Sequence, residues 1–217
     1  MKGRILLYLI AIFGFLVALN TAESSAQIAD EKAFAEGGNE FALALYGQLR
    51  QQPGNLFFSP FSIRTALAMP YAGAKGETAS QMAKVLRFPS SETALHGAAS
   101  TLMNRLITGG SGRYELAIAN SLWGQEGAPL QKEFLDLVAR HYAGAVNRAD
   151  FRNAATRATI NSWVEDKTKQ KIRDLILPGS VNADTRMVLV NAIHFKGTWI
   201  NQFPKAATRD ASFQLAS

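Results

Sequence analysis

The sequence predicts an α+β fold, in which several helices precede and separate a few long strands. Apolar residues recur at helical spacing early in the chain, as at Phe41, Leu45 and Leu49. Further along, residues 113–123 and 185–199 alternate with a period of two, and both faces of these segments are apolar. Such strands lie in a sheet that other elements cover on both sides. No repeat or low-complexity linker divides the chain, so we expect one domain.

The first two helices have recognisable starts. Residues 39–51 form the first predicted helix, with Asn39 as its N-cap. Ser59 is placed to cap a second helix that begins at Pro60, because a proline at the first helical position loses no hydrogen bond. This second helix runs to about residue 72 and carries almost no charge, so we expect it to be buried nearly all round.

The remaining elements follow from the same two periodicities. Helical spacing predicts helices over residues 78–86, 91–108, from Pro129 onwards, and 155–176. Alternation and apolar character predict strands over residues 113–123, 144–151 and 185–199. Helices followed by long strands with single helices between them are typical of an α+β domain.

The start of the chain has the pattern of an export signal. Lys2 and Arg4 precede an apolar run of 15 residues, and small residues follow up to Ala26. A spanning helix needs about 20 apolar residues, so a permanent membrane anchor is the weaker alternative. We expect residues 1–26 to be a signal peptide and residues 27–217 to be secreted, extracellular or periplasmic, and free of the membrane after cleavage.

Composition excludes several kinds of site. The chain has no cysteine, which excludes disulfides, Cys-ligated zinc and thiol nucleophiles. Loss of residues 1–26 removes Lys2, Arg4 and Glu23, so the formal net charge falls only from +6 to +5. The basic run from Lys167 to Arg173 is flanked by acidic residues, which is typical of a solvated helix face. We therefore expect no nucleic-acid partner.

No catalytic or metal-binding set is recognisable. His96, His141 and His194 lie on different predicted elements, and none has a partner at metal-ligand spacing. We expect structural histidines, no metal and no cofactor. Ser111 lies between two glycines but follows a helix, whereas a nucleophile elbow follows a strand. The sequence predicts a protein that is not an enzyme, and a hydrolase is a remote alternative.

A series of motifs, taken in order, resembles the serpin family. The motifs are Asn55-Leu56-Phe57-Phe58-Ser59-Pro60, Ala66-Leu67-Ala68-Met69, Gly73-Ala74-Lys75-Gly76-Glu77-Thr78, Ala119-Asn120-Ser121-Leu122-Trp123 and Leu189-Val190-Asn191-Ala192-Ile193-His194-Phe195-Lys196-Gly197. Each motif alone is weak, but their order is specific. From about residue 31 to its end, the chain resembles the N-terminal half of a single serpin domain of a secreted, bacterial type.

The resemblance implies a serpin-like α+β fold, incomplete within these residues. Its helices would form the N-terminal region, its strands would form part of the large central β-sheet, and the C-terminal half with the reactive loop would be absent. In inhibitory serpins a serine, or sometimes a cysteine, protease cuts that loop, which inserts into the sheet as a new strand and carries the bound protease along.

The same resemblance implies the activity of the parent protein. We expect the full-length parent to be a monomeric suicide-substrate inhibitor of serine-type endopeptidases. The reactive bond would lie outside residues 1–217, so we expect this chain alone to be inactive. The alternative is a non-inhibitory serpin that acts as a binding or chaperone-like protein.

The resemblance also assigns site residues. Ser59 and Ser62 would lie beneath the sheet near Asn191, in a polar cluster that lets neighbouring strands part and close, because hydroxyls and an amide can exchange hydrogen-bond partners. Trp199 is similar to a tryptophan near the end of the sheet where the loop enters. The residues themselves leave structural alternatives open. Ser59 would then be a helix cap, Ser62 and Asn191 would be ordinary hydrogen-bonded polar groups, and Trp199 would be a core residue.

Overall fold

The computed structural model describes residues 2–89, 91–110, 112, 114–142 and 145–212, with side chains from residue 25 onwards except that of residue 145. The helices are α1 Lys2–Leu49, α2 Pro60–Tyr71, α3 Gly76–Leu86, α4 Glu92–Thr108, α5 Lys132–His141 and α6 Ala155–Lys167. The strands are β1 Tyr114–Gln125, β2 Ala145–Ala149 and β3 Met187–Gly197, and a short 3-10 turn covers Lys205–Ala207. The predicted α+β class is confirmed.

The three predicted strands form one sheet in the order β2-β1-β3. β1 pairs in parallel with β2 and antiparallel with β3. In the β1–β3 register, Asn120 lies opposite Asn191 and Tyr114 lies opposite Gly197. The central strand is therefore β1, and β3 is an edge of the described sheet.

Helices cover the sheet on both faces, as its apolar pattern predicts. On one face, Leu189 of β3 and Val146 of β2 pack against a core formed by α1 to α5. On the other face, Trp123 and Val190 pack with Ile160 of α6. β1 contributes buried residues to both layers, which is why its sequence has no polar face.

The second helix is capped and buried as predicted. The Ser59 hydroxyl accepts a hydrogen bond from the backbone N–H of Ser62, and Pro60 occupies the first turn. The buried residues of α2 are Ser62, Arg64, Thr65, Ala66, Ala68 and Met69. Three of these side chains, Ser62, Arg64 and Thr65, bring polar groups into the interior; Ser62 and Arg64 have hydrogen-bond partners there, whereas the Thr65 hydroxyl has none among the described residues.

The bounds of two predicted helices were wrong. α1 runs from Lys2 to Leu49, so Asn39 lies inside the helix and is not its N-cap. α6 ends at Lys167, well before residue 176, because Lys169 and Gln170 adopt positive φ angles of 51° and 60°. Among the described residues, no helix combines the length and the apolar character that a membrane crossing requires.

Arg64 joins α2 to two other helices from within the core. Its guanidinium donates from Nε to the carbonyl oxygen of Leu86 at 2.7 Å, from Nη1 to that of Phe34 at 2.5 Å, and from Nη2 to that of Arg87 at 2.6 Å. The charge also lies over the ring of Phe34, 4.2 Å from its centroid. Burial lowers the pKa of Arg64 from its ordinary value to about 10, so the side chain stays charged at neutral pH.

His96 is a core residue, as the sequence analysis expects of a structural histidine. Its Nδ1 forms a hydrogen bond with the hydroxyl of Tyr142, and its buried Nε2 has no hydrogen-bond partner within the described residues. The groups that face it are Glu92, with a carboxylate oxygen 3.9 Å from Nε2, and the rings of His141 and Tyr71. Burial, followed by the charge of His141, lowers the pKa of His96 to about 4.

This pKa shift predicts a loss of stability at acidic pH. The folded pKa of about 4 lies below the ordinary value of 6.5, so the unfolded chain takes up the proton first. The stabilisation is complete above pH 6.5 and is lost as the pH falls towards 4, by roughly 3 kcal/mol at 1.36 kcal/mol per pKa unit. Urea denaturation at several pH values should show this, and His96→Gln should flatten the dependence. His194→Gln is the control, and an equal effect of both variants would contradict the prediction.

Candidate functional site

A series of hydrogen-bonded polar side chains crosses the interface between the sheet and the helices. The Ser62 hydroxyl on α2 donates a short hydrogen bond to Oδ1 of Asn191 on β3. Nδ2 of Asn191 donates to Oδ1 of Asn120 on β1 at 2.6 Å, and Nδ2 of Asn120 points at Sδ of Met103 on α4, 3.5 Å away. We call Ser62, Asn191 and Asn120 the polar network. It connects two strands to each other and to the helix beneath them.

Register and burial explain why these groups meet. Asn120 and Asn191 are partners in the antiparallel pair, so their side chains lie on the same face of the sheet, the face towards α2 and α4. Ser62 is 3% exposed and Asn120 is 4% exposed. A buried amide or hydroxyl without a partner is costly, so each member of the network depends on the next.

The structure brings together two of the three residues predicted for the sheet-opening cluster. Ser62 and Asn191 are hydrogen-bonded, as expected. The hydroxyl of Ser59 contacts the backbone N–H of Ser62 at 3.3 Å, and the described residues show no hydrogen bond from Ser59 to Asn191. Ser59 is therefore the cap of α2, and it reaches the network only through the position of Ser62. A role of the cluster in strand movement stays a prediction.

Trp199 lies just beyond the end of β3, so the strand is shorter than the predicted range to residue 199. Its side chain is 72% exposed, which rules out core packing within the described residues. The ring packs edge to face against Phe203, with centroids 6.1 Å apart. Phe195 and Ile200 are exposed beside it. Trp199 thus belongs to an apolar patch at one end of the sheet, and its role in loop entry stays a prediction.

Asn120 is the member of the polar network that sequence reasoning missed as a site residue. The alternation of β1 places it on the same face as Leu122, where it is the polar exception. That exception, and its place within the motif Ala119-Asn120-Ser121-Leu122-Trp123, are its signals in the sequence. The partner of Asn120 cannot be deduced from the sequence, because it is the register of β1 with β3 that brings Asn120 next to Asn191, 71 positions away.

The chemistry available to the polar network is hydrogen-bond exchange. It holds hydroxyl and amide groups and no group that titrates near neutral pH. In the part of the chain that the structure describes, no cluster of His, Cys, Asp or Glu could hold a metal ion. The arrangement is suited to positioning two strands.

The fold agrees with comparisons to known proteins. A model of the family described as Serpin (serine protease inhibitor) matches residues 36–217. An uncharacterised serpin-like protein of Methanosarcina mazei is 41% identical over 189 residues, which cover 84% of this chain and 44% of that protein. Serpin B6 of Macaca fascicularis is 41% identical over 187 residues, covering 84% of this chain and 50% of that protein. The chain belongs to the serpin family.

Solved structures show the same fold. The structure of cleaved Serpin 42Da superposes with a TM-score of 0.74 and 38% identity, over 83% of this chain and 48% of that one. Emu ovalbumin superposes with a TM-score of 0.74 and 32% identity, over 82% of this chain and 50% of that one. The chain spans about half the length of the relatives it matches. The family is described as one of serine protease inhibitors, which are not enzymes, in line with the prediction that the protein is not an enzyme.

The polar network predicts a strong energetic coupling between the two asparagines. Asn191→Ala leaves the Ser62 hydroxyl and Oδ1 of Asn120 without their partner, which should lower the free energy of unfolding by about 1 to 3 kcal/mol. In a double-mutant cycle by urea denaturation, Asn191→Ala and Asn120→Ala should be non-additive by about 0.5 to 3 kcal/mol. Asn104→Ala, on the exposed side of α4, is the control and should be additive with Asn191→Ala. If the effects of the two substitutions were additive in both pairs, the predicted coupling between Asn191 and Asn120 would be wrong.

Proposed function

We propose that the protein containing this chain is a suicide-substrate inhibitor of serine-type endopeptidases, which acts by inserting its cleaved reactive loop into the central sheet. The observation that carries the proposal is the polar network, found inside the central sheet of a chain that belongs to the serpin family. Cysteine proteases are a further possible target class by family analogy. The reactive bond is expected beyond residue 217.

The position of β3 supports this mechanism. One side of β3 pairs with β1, and in the described sheet its other side carries no strand. A strand arriving there would extend the sheet by pairing with the open backbone groups of β3. Insertion at that edge would leave the β1–β3 ladder intact.

The polar network gives β3 a means of adjusting to a new neighbour. Asn191 is bound on one side to the helix through Ser62 and on the other side to β1 through Asn120. If β3 shifts over α2, the Asn191 amide can change partners without leaving a buried polar group unpaired. An apolar side chain at this position would provide no such directional contact.

The inhibitory mechanism predicts a covalent complex that resists detergent. The longest reading frame containing this chain should be expressed and incubated with a trypsin-like serine protease, a chymotrypsin-like one and a papain-like cysteine protease. The protease nucleophile becomes acylated by the residue before the cleaved bond, and the peptide after that bond is the leaving group. We therefore expect, with at least one active protease, a band on denaturing gels at the summed mass less that of the released peptide, and no such band after the nucleophile is blocked. The 217-residue chain is a second control, for which we expect no complex.

Variants link the complex to the polar network. Asn191→Ala should raise the fraction of inhibitor that is cleaved without forming a complex, because slower insertion gives the protease time to complete hydrolysis. Asn104→Ala should leave that fraction unchanged. Cleavage in the loop without any complex, for every protease tested, would overturn the proposal and favour a non-inhibitory serpin that acts as a binding or chaperone-like protein.

We also propose that residues 1–26 direct export of a bacterial-type protein to the periplasm or the medium. The support is the order of Lys2 and Arg4, the apolar run, and the small residues up to Ala26. On expression in a bacterial host, the exported protein should begin at residue 23 or 27 by N-terminal sequencing. Replacing Lys2 and Arg4 by Glu should retain the protein in the cytoplasm. An exported protein that keeps Met1 would contradict the proposal.

A further inference from the structure

We infer that the protein binds a small carboxylate with an apolar body in a pocket between α1, α2 and α4, with the Arg64 guanidinium as its anion partner. The pocket has a volume of about 290 Å³ and lies apart from the polar network. Its apolar walls come from Phe34, Phe61 and Leu102, one from each of the three helices. This inference does not depend on the proposed inhibitory function.

Arg64 is the polar feature of the pocket, and it has unused hydrogen-bonding capacity. A guanidinium has five N–H donors, and three of those of Arg64 bind the carbonyl oxygens of Phe34, Leu86 and Arg87. Among the described residues, no carboxylate forms an ion pair with it. The two remaining donors are on Nη1 and Nη2, where a carboxylate can accept them.

The environment of Arg64 favours an anion. The side chain is 2% exposed, and burial is the main cause of its lowered pKa. Three carbonyl dipoles and the Phe34 ring compensate part of the desolvation, but they supply no negative charge. A buried charge gains most from an opposite charge that approaches within a dry site.

Gly38 lies next to both the pocket and this charge. It lines the pocket, and a Cβ atom at this position would lie 3.1 Å from Nη1 of Arg64. A glycine in the middle of a helix costs about 1 kcal/mol relative to alanine, so its presence in α1 needs a reason. Here the missing side chain leaves room for Nη1 of Arg64 beside the pocket.

Size and wall composition define the ligand class. The volume lies at the lower end of the range of about 300 to 1,000 Å³ for small-molecule sites, which favours a short acyl or single-ring body. Ala35, Ala42 and Pro60 complete the apolar lining, and Asn39 is exposed at its edge. A medium-chain fatty acid anion matches both the apolar walls and the single cation, so octanoate is a suitable probe.

Calorimetric titration of the full-length protein with octanoate, octanol and acetate tests separately whether binding requires the carboxylate charge and whether it requires the apolar body of the ligand. We expect octanoate to bind at least about tenfold more tightly than octanol, because only the carboxylate can pair with Arg64. Acetate lacks the apolar body and should bind at least about tenfold more weakly than octanoate. Equal affinities for octanoate and octanol, or no binding of octanoate at millimolar concentration, would overturn the inference.

Three variants locate the site. Gly38→Ala should weaken octanoate about tenfold or more, since its Cβ would crowd Nη1 of Arg64. Gly47→Ala on the same helix is the matched control, because a Cβ there would meet nothing within 4 Å, and its affinity should equal that of the wild type. Ala42→Leu fills the pocket and should abolish binding of octanoate and octanol alike. Wild-type affinity in both Gly38→Ala and Ala42→Leu would place the ligand elsewhere and overturn the inference.

Discussion

Burial of both faces of β1 is the constraint on which the rest of the structure depends. A central strand without a polar face needs one layer of cover on each side. The helices α1 to α5 supply the first layer and α6 supplies the second. Because α2 lies directly beneath the sheet in the first layer, it has no solvated side of its own, and this explains its nearly uncharged sequence.

The same burial makes an interior polar group without a partner costly. Ser62, Asn191 and Asn120 satisfy one another across α2, β3 and β1, whereas Arg64 binds backbone carbonyls of α1 and of the end of α3. These contacts differ in kind. The polar network is neutral and can exchange partners, while the guanidinium carries a permanent charge that holds helices together and attracts anions.

The open edge of the sheet and the apolar patch around Trp199 are explained by the half of the serpin domain that these residues do not include. β3 has an open side, and Phe195, Trp199 and Ile200 expose apolar surface at one end of the sheet. Large exposed apolar patches mark interaction surfaces. In relatives about twice as long, the further residues offer a natural source of cover for them.

Periodicity and capping residues alone determined the α+β class, the three strands and the start of α2, and a series of ordered motifs indicated the family. These features are local, since they depend on residues a few positions apart. Tertiary structure decided the end of α6, the continuation of α1 through Gly37 and Gly38, and the partners of Asn191 and Arg64. Hydrogen bonds between distant residues depend on strand register and helix packing, which no local pattern specifies. Ser59 shows the boundary between the two, because its role as a cap was visible in the sequence, whereas its separation from Asn191 was visible only in the fold.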